Sequence, residues 1–378
     1  MLDTKNVWER ITKGLFSKGR DSVVGVDIGS ASLKVVQLRR EKGKAVLETY
    51  GELALGPYAQ TDIGRATAMP AEEIAKALAE LSHEANVTAT RAGLSIPVRS
   101  SLLKVISLPT TDRRQVAKMA PIEARKYVPV PIGEVTLDWW IIPERNYSLP
   151  GEAPVAPADD HKEGVEVLLV AIHNDTLSTY QKVISLAGLE TEAFEIETFS
   201  AIRATFGHDM LPTLILDIGA SSSRVAIVEH GIVRASHVVG KGSQDITMAL
   251  SKSMNMTFSD AEAVKRGQKA PTGATGVANV QDVARPILEY IFFETASVIR
   301  NYERNYRQSV AKVIAIGGGS LIPQFLDIAA PHFEVEVVMG NPFKKVEAPA
   351  FLDPLLTEAG PSFAVAVGLA LRELQDKV

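Results

Sequence analysis

Apolar positions along the chain switch between period two and period 3.6, and the switch is made twice in the same way. Val24-Gly-Val-Asp-Ile28 and Leu33-Lys-Val-Val-Gln-Leu38 read as two strands around the short turn Gly29-Ser-Ala-Ser32, and residues 44–55 read as a third strand after the loop Lys42-Gly43. Residues 69–81 then take helical spacing, with Ile74, Leu78 and Leu81 on one face and Pro70 in the first turn, where a missing N–H is harmless. The second half opens alike: Leu214-Ile-Leu-Asp-Ile218, the turn Gly219-Ala-Ser-Ser222, and Arg224-Val-Ala-Ile-Val228. Asp217, Gly219, Ser222 and Arg224 answer Asp27, Gly29, Ser32 and Lys34, so the pattern predicts two similar α/β halves.

Between them the order changes. Residues 92–96 and 102–108 read as strands, 111–128 as a helix, 135–143 and 165–172 as strands, 175–187 as a helix and 190–196 as a strand, which predicts an α+β module inserted into the first half. Pro150, Gly151, Pro154 and Pro157 mark the stretch between Pro143 and Gly164 as a loop. Pro121 costs about 3 kcal/mol in a helix interior, so the helix over 111–128 is expected to kink or restart there. Its exit, Tyr127-Val-Pro-Val-Pro131, is extended and held by prolines.

In the second half, Gly240 to Thr247 opens a helix running through Leu250 and Met254, and Ser259 with Glu262 reads as the capping box of the next. A loop rich in Gly, Ala and Thr spans 267–279, a long helix spans 280–307 with Arg300, Arg304 and Arg307 toward its end, and Val313-Ile-Ala-Ile316 is a buried strand running into Gly317-Gly-Gly-Ser320. A helix follows from about Pro323, and the apolar helix over 362–374 is expected to pack back on the first half.

Composition narrows the chemistry. At 378 residues the chain predicts at least two domains, and its net charge of −5 offers no global attraction to nucleic acid. The absence of cysteine removes disulfides, thiolate catalysis and cysteine-bound zinc, while His83, His173 and His208 lack metal-ligand spacing. No uninterrupted apolar run approaches the ~20 residues that span a bilayer, and the basic start lacks the apolar core of a signal peptide, so a cytoplasmic protein is expected. Residues 1–21 place Val7, Trp8, Ile11 and Leu15 on one helical face among Lys5, Arg10, Lys13, Lys18 and Arg20. Two readings stand for this segment: peripheral contact with an anionic membrane or a partner, and, more plainly, a helix packed on its own domain or a frayed tail.

The duplicated turn carries the candidate chemistry. Glycine at its tip lets backbone N–H groups approach phosphate oxygens, small hydroxyl residues add donors, and an acid just before it can hold the water shell of Mg²⁺. Either turn alone is an ordinary hairpin; two of them suggest a clamp on a triphosphate.

Taken in order, Asp27-x-Gly29, Asp217-x-Gly219, Gly242-x-x-Asp245-Ile-Thr247, Ala261-Glu262-x-x-Lys265 and Ile316-Gly-Gly-Gly-Ser320 resemble the actin-like ATPases over residues 22–374. That resemblance implies a duplicated actin-like (ribonuclease H-like) α/β fold, with an inserted α+β subdomain placed as in FtsA. The stretch Glu123-Ala-x-x-Tyr127-Val-Pro129-x-Pro131-Ile-x-Glu134-Val135-x-x-Asp138 is similar to the PilM family of type IV pilus assembly proteins. The implied organisation is an N-terminal segment at 1–21, a first half at 22–91 with a return at 192–212, an insert at 92–191, and a second half at 213–378 holding an adenosine subdomain at 240–310.

The same resemblance implies roles. Asp27 and Asp217 would face Mg²⁺ through water. Gly29, Ser30, Ser32 and Lys34, with Gly219, Ala220 and Ser221, would hold the phosphates of ATP. Gly242, Glu262 and Lys265 would serve the ribose and adenine, and Gly317, Gly318, Gly319 and Ser320 the adenosine side. Glu197 is the candidate water-orienting acid, or equally a helix N-terminal acid, and it is followed by Thr198 where filament-forming relatives have proline. The implied function is a nucleotide-binding scaffold with weak or no ATPase activity at the inner-membrane pilus assembly complex. It would grip the cytoplasmic tail peptide of PilN between insert and first subdomain, through Tyr127, Pro129 and Pro131. An FtsA-like membrane-tethered filament protein and an active ATPase or kinase of the same fold stand as alternatives, and the fold is compatible with a homo-oligomer.

Overall fold

In a computed structural model the described residues are 22–143, 164–191, 194–207, 211–270 and 280–375. The basic segment 1–21, the proline-rich loop at 144–163, most of the loop at 267–279 and His208 lie outside them.

The first half begins with β1 (Ser22–Ile28), β2 (Ser32–Glu41) and β3 (Lys44–Ala54), followed by α1 (Ala71–Glu84) and β4 (Ala92–Ile96). The insert holds β5 (Ser101–Leu108), α2 (Arg113–Ala124), β6 (Val135–Ile141), β7 (Val165–His173) and α3 (Asn174–Leu186), and the chain returns through β8 (Phe194–Ile196) and α4 (Glu197–Thr205). The second half runs β9 (Thr213–Ile218), β10 (Ser223–Glu229), β11 (Ile232–Val239), α5 (Ser243–Ser253), α6 (Phe258–Lys265), α7 (Val280–Tyr306), β12 (Lys312–Ile316), α8 (Phe325–Ala329) and β13 (Glu336–Met339). Two helices close the chain, α9 (Asp353–Ala359) and α10 (Ala364–Gln375).

Each half carries one five-stranded sheet, and the two orders are the same permutation: β3-β2-β1-β4-β8 and β11-β10-β9-β12-β13. In both, two antiparallel hairpin pairings come first and a parallel neighbour follows on the other side of the founding strand. β1 and β9 are buried along their whole length, as strands covered on both faces must be, which explains why Val, Ile and Leu dominate them.

The chain divides into two compact units. One holds residues up to Ser95, the return through α4 and the C-terminal helices; the other holds the insert from Ile96 to Tyr180 together with residues 206–340. In the first unit α10 packs on β1 and β2, its Ala366, Val367, Ala370 and Leu374 meeting Val23, Val36 and Leu38, as the apolar pattern of 362–374 predicts. The approach is close enough that a Cβ on Gly25 would strike the Ala366 carbonyl. The stretch Ala350–Gln375 is long and apolar enough to cross a membrane, but its most apolar window is 61% buried in this packing.

In the second unit the insert forms the antiparallel sheet β5-β7-β6 with α2 against it. Its polar contacts run to β11 and α7. Arg234, 3% exposed, pairs with Glu229 at 2.8 Å and with Glu166 of β7 at 3.2 Å, and the Tyr306 hydroxyl donates to Glu166 at 2.7 Å. Two local expectations are corrected. The helix over 111–128 runs from Arg113 to Ala124 and carries Pro121 inside it without restarting, ending one turn later. The helix expected to be capped by Ser259 begins earlier: Thr257 is the cap, its hydroxyl accepting from the Asp260 N–H at 3.1 Å, so Asp260 and not Glu262 completes the cap.

Candidate functional site

The two Asp-x-Gly turns have the same local geometry. The Gly29 N–H donates to the Ser32 carbonyl at 3.0 Å, and the Gly219 N–H donates to the Ser222 carbonyl at 3.0 Å. In each turn the next two N–H groups, of Ser30 and Ala31 and of Ala220 and Ser221, donate to no acceptor among the described residues. All four residues are half-buried. Such pairs of uncommitted N–H groups on a tight turn suit an anion.

The charged side chains differ. On the first turn Ser95, at the end of β4, donates its hydroxyl to Asp27 Oδ1 at 3.0 Å. Lys34 stands opposite Asp27 in the ladder, and its Nζ reaches Ser32 Oγ at 2.7 Å and Glu52 at 3.1 Å. On the second turn Arg224, opposite Asp217, closes a 2.8 Å ion pair on Asp217 Oδ2. Both aspartates are nearly buried, at 8% and 6% exposed.

Around the second turn the structure gathers the other motifs of its half. β12 runs parallel to β9 with Ile316 beside Asp217, which brings Gly317–Ser320 to the same sheet end. Gly317 has φ +85°, and a Cβ there would run into Asp217 Oδ1; one on Gly319 would hit Ile218. The start of α5 is tied to the turn by the Ser243 N–H on the Gly219 carbonyl at 2.9 Å and the Gln244 N–H on the Ala220 carbonyl at 3.0 Å. Gly242 packs so tightly on Ala220 that a side chain would collide, and Asp245 accepts its N–H at 2.9 Å. Ser320 bonds back to the Gly317 carbonyl at 2.8 Å, while Gly318 stays open on its Cβ side.

Glu262 and Lys265 are each only 4% exposed and face inward. Glu262 takes bonds from Lys265, Thr247 and Arg266, each at 2.7 Å, and Lys265 also donates to the Thr247 hydroxyl at 3.0 Å and the Ser243 carbonyl at 3.3 Å. Burial pushes the Glu262 carboxyl up, but the adjacent Lys265 and its hydrogen-bond donors outweigh this and hold it below the usual carboxylate range. Burial drives the Lys265 amine down, against the pull of Glu262. The pair locks α6 to the beginning of α5, which serves the turn's geometry.

Glu197 begins α4 and is 5% exposed. At the insert, Tyr127, Pro129 and Pro131 are exposed, with Lys104 Nζ 5.5 Å from the Tyr127 ring centroid, while Val128 between them is buried against Val135 and Ala171. Sequence reasoning missed Ser95 and Arg99. The Arg99 Nη1 donates to Ser221 Oγ at 2.9 Å, and the signal is the place of Ser95 at the end of a buried strand that parallels β1, and of Arg99 just after it. Among the described residues no cluster of three His, Asp or Glu side chains forms a metal site.

Comparison with known proteins places this chain in a family. The family model described as "Type IV pilus assembly protein PilM" matches residues 25–374. The solved structure of a PilM-PilN type IV pilus biogenesis complex is similar with a TM-score of 0.75 and 24% identity, over 93% of this chain and 98% of that chain. MreB5 of Spiroplasma citri bound to AMPPNP aligns with a TM-score of 0.52 at 12% identity, over 94% of this chain and 97% of that one. The cell division protein FtsA of Helicobacter pylori is 23% identical over 234 residues, 55% of this chain and 47% of the relative, so the chain spans about half the length of the curated relative it matches.

Proposed function

Because the chain belongs to the PilM family of type IV pilus assembly proteins, we propose that it is a nucleotide-binding scaffold of the pilus assembly machinery. It holds Mg·ATP at its duplicated turns and takes the N-terminal cytoplasmic tail of a PilN-like membrane protein on its inserted subdomain. The observation that carries the nucleotide reading is the duplication itself: two turns of one geometry, each with an aspartate before it and two uncommitted N–H groups at its tip. In support, a relative of the same fold, MreB5, is seen with AMPPNP bound. Asp27 and Asp217 would orient the waters of Mg²⁺, and the N–H groups of Ser30, Ala31, Ala220 and Ser221 would take phosphate oxygens. Ser32 and Lys34 bind each other and steady the first turn. Gly242, Gly317, Gly318, Gly319 and Ser320 shape the adenosine side, with Glu262 and Lys265 holding that surface from behind. The magnesium, when bound, supplies the countercharge for the phosphates.

Turnover is expected to be slow, because Glu197 is buried at the start of α4 and Thr198 follows it. Nucleotide then acts as a ligand that stabilises the folded chain by mass action. In this reading the protein works at the cytoplasmic face of the inner membrane, held there through its partners.

The partner reading rests on the exposed Tyr127-Val-Pro-Val-Pro131 exit. There Val128 anchors the backbone, and two prolines keep it extended without offering N–H donors. With labelled PilN-tail peptide and the full chain, Tyr127→Ala is expected to weaken peptide binding about tenfold, the loss of one exposed aromatic anchor, while ATP affinity stays within about twofold. Equal loss of both ligands, or of neither, removes the insert exit as the receptor. Steady multiple turnover of ATP by the isolated chain, abolished by Glu197→Ala, would favour an active ATPase instead.

A further inference from the structure

We infer that Arg99 reads the terminal phosphate of the nucleotide and so makes the first turn of the insert sensitive to whether a triphosphate or a diphosphate is bound. The inference rests on the nucleotide reading above and deepens it.

Arg99 lies in the one-turn 3-10 helix Val98–Ser100, directly between β4 and the first strand of the insert. Its backbone is well fixed. Pro97 precedes the turn with φ −62°, Val98 is buried, and the Ser101 hydroxyl lies 3.3 Å and 3.2 Å from the carbonyl oxygens of Pro97 and Val98. From this base the exposed guanidinium extends to the tip of the second phosphate turn, where Nη1 donates to Ser221 Oγ at 2.9 Å.

Charge distinguishes Arg99 from every other cation around that turn. Arg224 is held on Asp217 at 2.8 Å, Lys241 on Asp245 at 2.9 Å, and Lys265 and Arg266 on Glu262, each at 2.7 Å. Arg99 makes no ion pair among the described residues. Among the described residues it is thus the one cation at the turn whose charge is not already offset by a carboxylate, and its contact with Ser221 uses one donor of five. The N–H groups of Ala220 and Ser221 beside it are also uncommitted. An arginine fork with spare donors next to such N–H groups suits a phosphate dianion, and a triphosphate brings one phosphate more to the turn than a diphosphate.

The consequence is regulatory. Ser95, four residues earlier on the same segment, holds Asp27, while Ser101, two residues later, starts β5. Exchange of triphosphate for diphosphate would therefore release Arg99 at the root of the strand that leads into the insert.

Calorimetry of the full chain with Mg·ATP and with Mg·ADP tests this. Arg99→Ala is expected to weaken ATP about tenfold while changing ADP by less than about twofold, and Arg99→Lys to recover only part of the loss because the fork is gone. An Arg99→Ala protein with wild-type melting behaviour and an unchanged ATP to ADP ratio overturns the assignment. A wild-type chain that binds neither nucleotide overturns the nucleotide reading first, and the role of Arg99 with it.

Discussion

The first and second Asp-x-Gly turns share a backbone and differ in where their cation goes. Both carry an aspartate paired across the ladder with a basic residue, Lys34 or Arg224. Lysine, a single ammonium on a flexible stem, bends to Ser32 and Glu52, whereas the arginine fork closes on Asp217 itself. Behind the second turn stands a buried ion pair and a glycine run; beside the first is a pair whose Glu52 side chain is 38% exposed. One motif has therefore been built into a rigid, charge-compensated turn in the second unit and a more solvated one in the first.

The largest expected break of this comparison is at the supporting pairs. Glu262→Gln leaves the Lys265 ammonium buried without its carboxylate and should cost about 3–5 kcal/mol of stability in urea denaturation, whereas Glu52→Gln at the first turn should cost less than about 1 kcal/mol. The same variants should differ with pH. Because the folded state holds Glu262 below its unfolded value, its contribution is fully present above the ordinary Glu value of about 4.3 and is lost as the pH falls through the lower folded value. Glu262→Gln should flatten that part of the acid limb; an unchanged limb would show that the pair does not support the turn.

Next in size is the glycine run. Gly317→Ala forces a side chain onto φ +85° and into Asp217, for about 2–3 kcal/mol, while Gly318→Ala meets open space and should stay within about 0.5 kcal/mol. Equal melting temperatures for the two variants would mean that the run does not buttress Asp217.

The smallest and sharpest difference concerns the aspartates. Asp27→Ala should weaken Mg·ATP about 30-fold, a charged interaction lost outright, and Asp217→Ala about tenfold, because the freed Arg224 can turn to the phosphates. Calorimetry that finds both losses equal would show that the Arg224 pairing makes no difference to cation binding.

Much of the architecture was legible from the pattern alone. The largely apolar runs of β1 and β9 announce strands covered on both faces, and the period-3.6 stretches announce α1, α5 and α7 to within a few residues. The cap of α6 was misplaced because Thr257, Ser259, Asp260 and Glu262 offer two overlapping capping boxes, and only the fold shows Glu262 turned inward to Lys265. Glu262 and Lys265 are each 4% exposed and bond to each other, and Lys265 to the Ser243 carbonyl at the start of α5. Ser95 and Arg99 carried no motif at all; they matter because β4 lies parallel to β1 and ends beside the turn.

The sequence by itself determined the duplication, the Asp-x-Gly turns and the strand and helix order, since each depends on residues only a few positions apart and on their side-chain period. Tertiary structure alone decided which charges meet. Arg224 reaches Asp217 across one hairpin, but Glu166 meets Arg234 from 68 positions away and Tyr306 from 140, which joins the insert to the strands of the second half. A buried charge must find a partner wherever the packed chain provides one, and no local pattern encodes that choice.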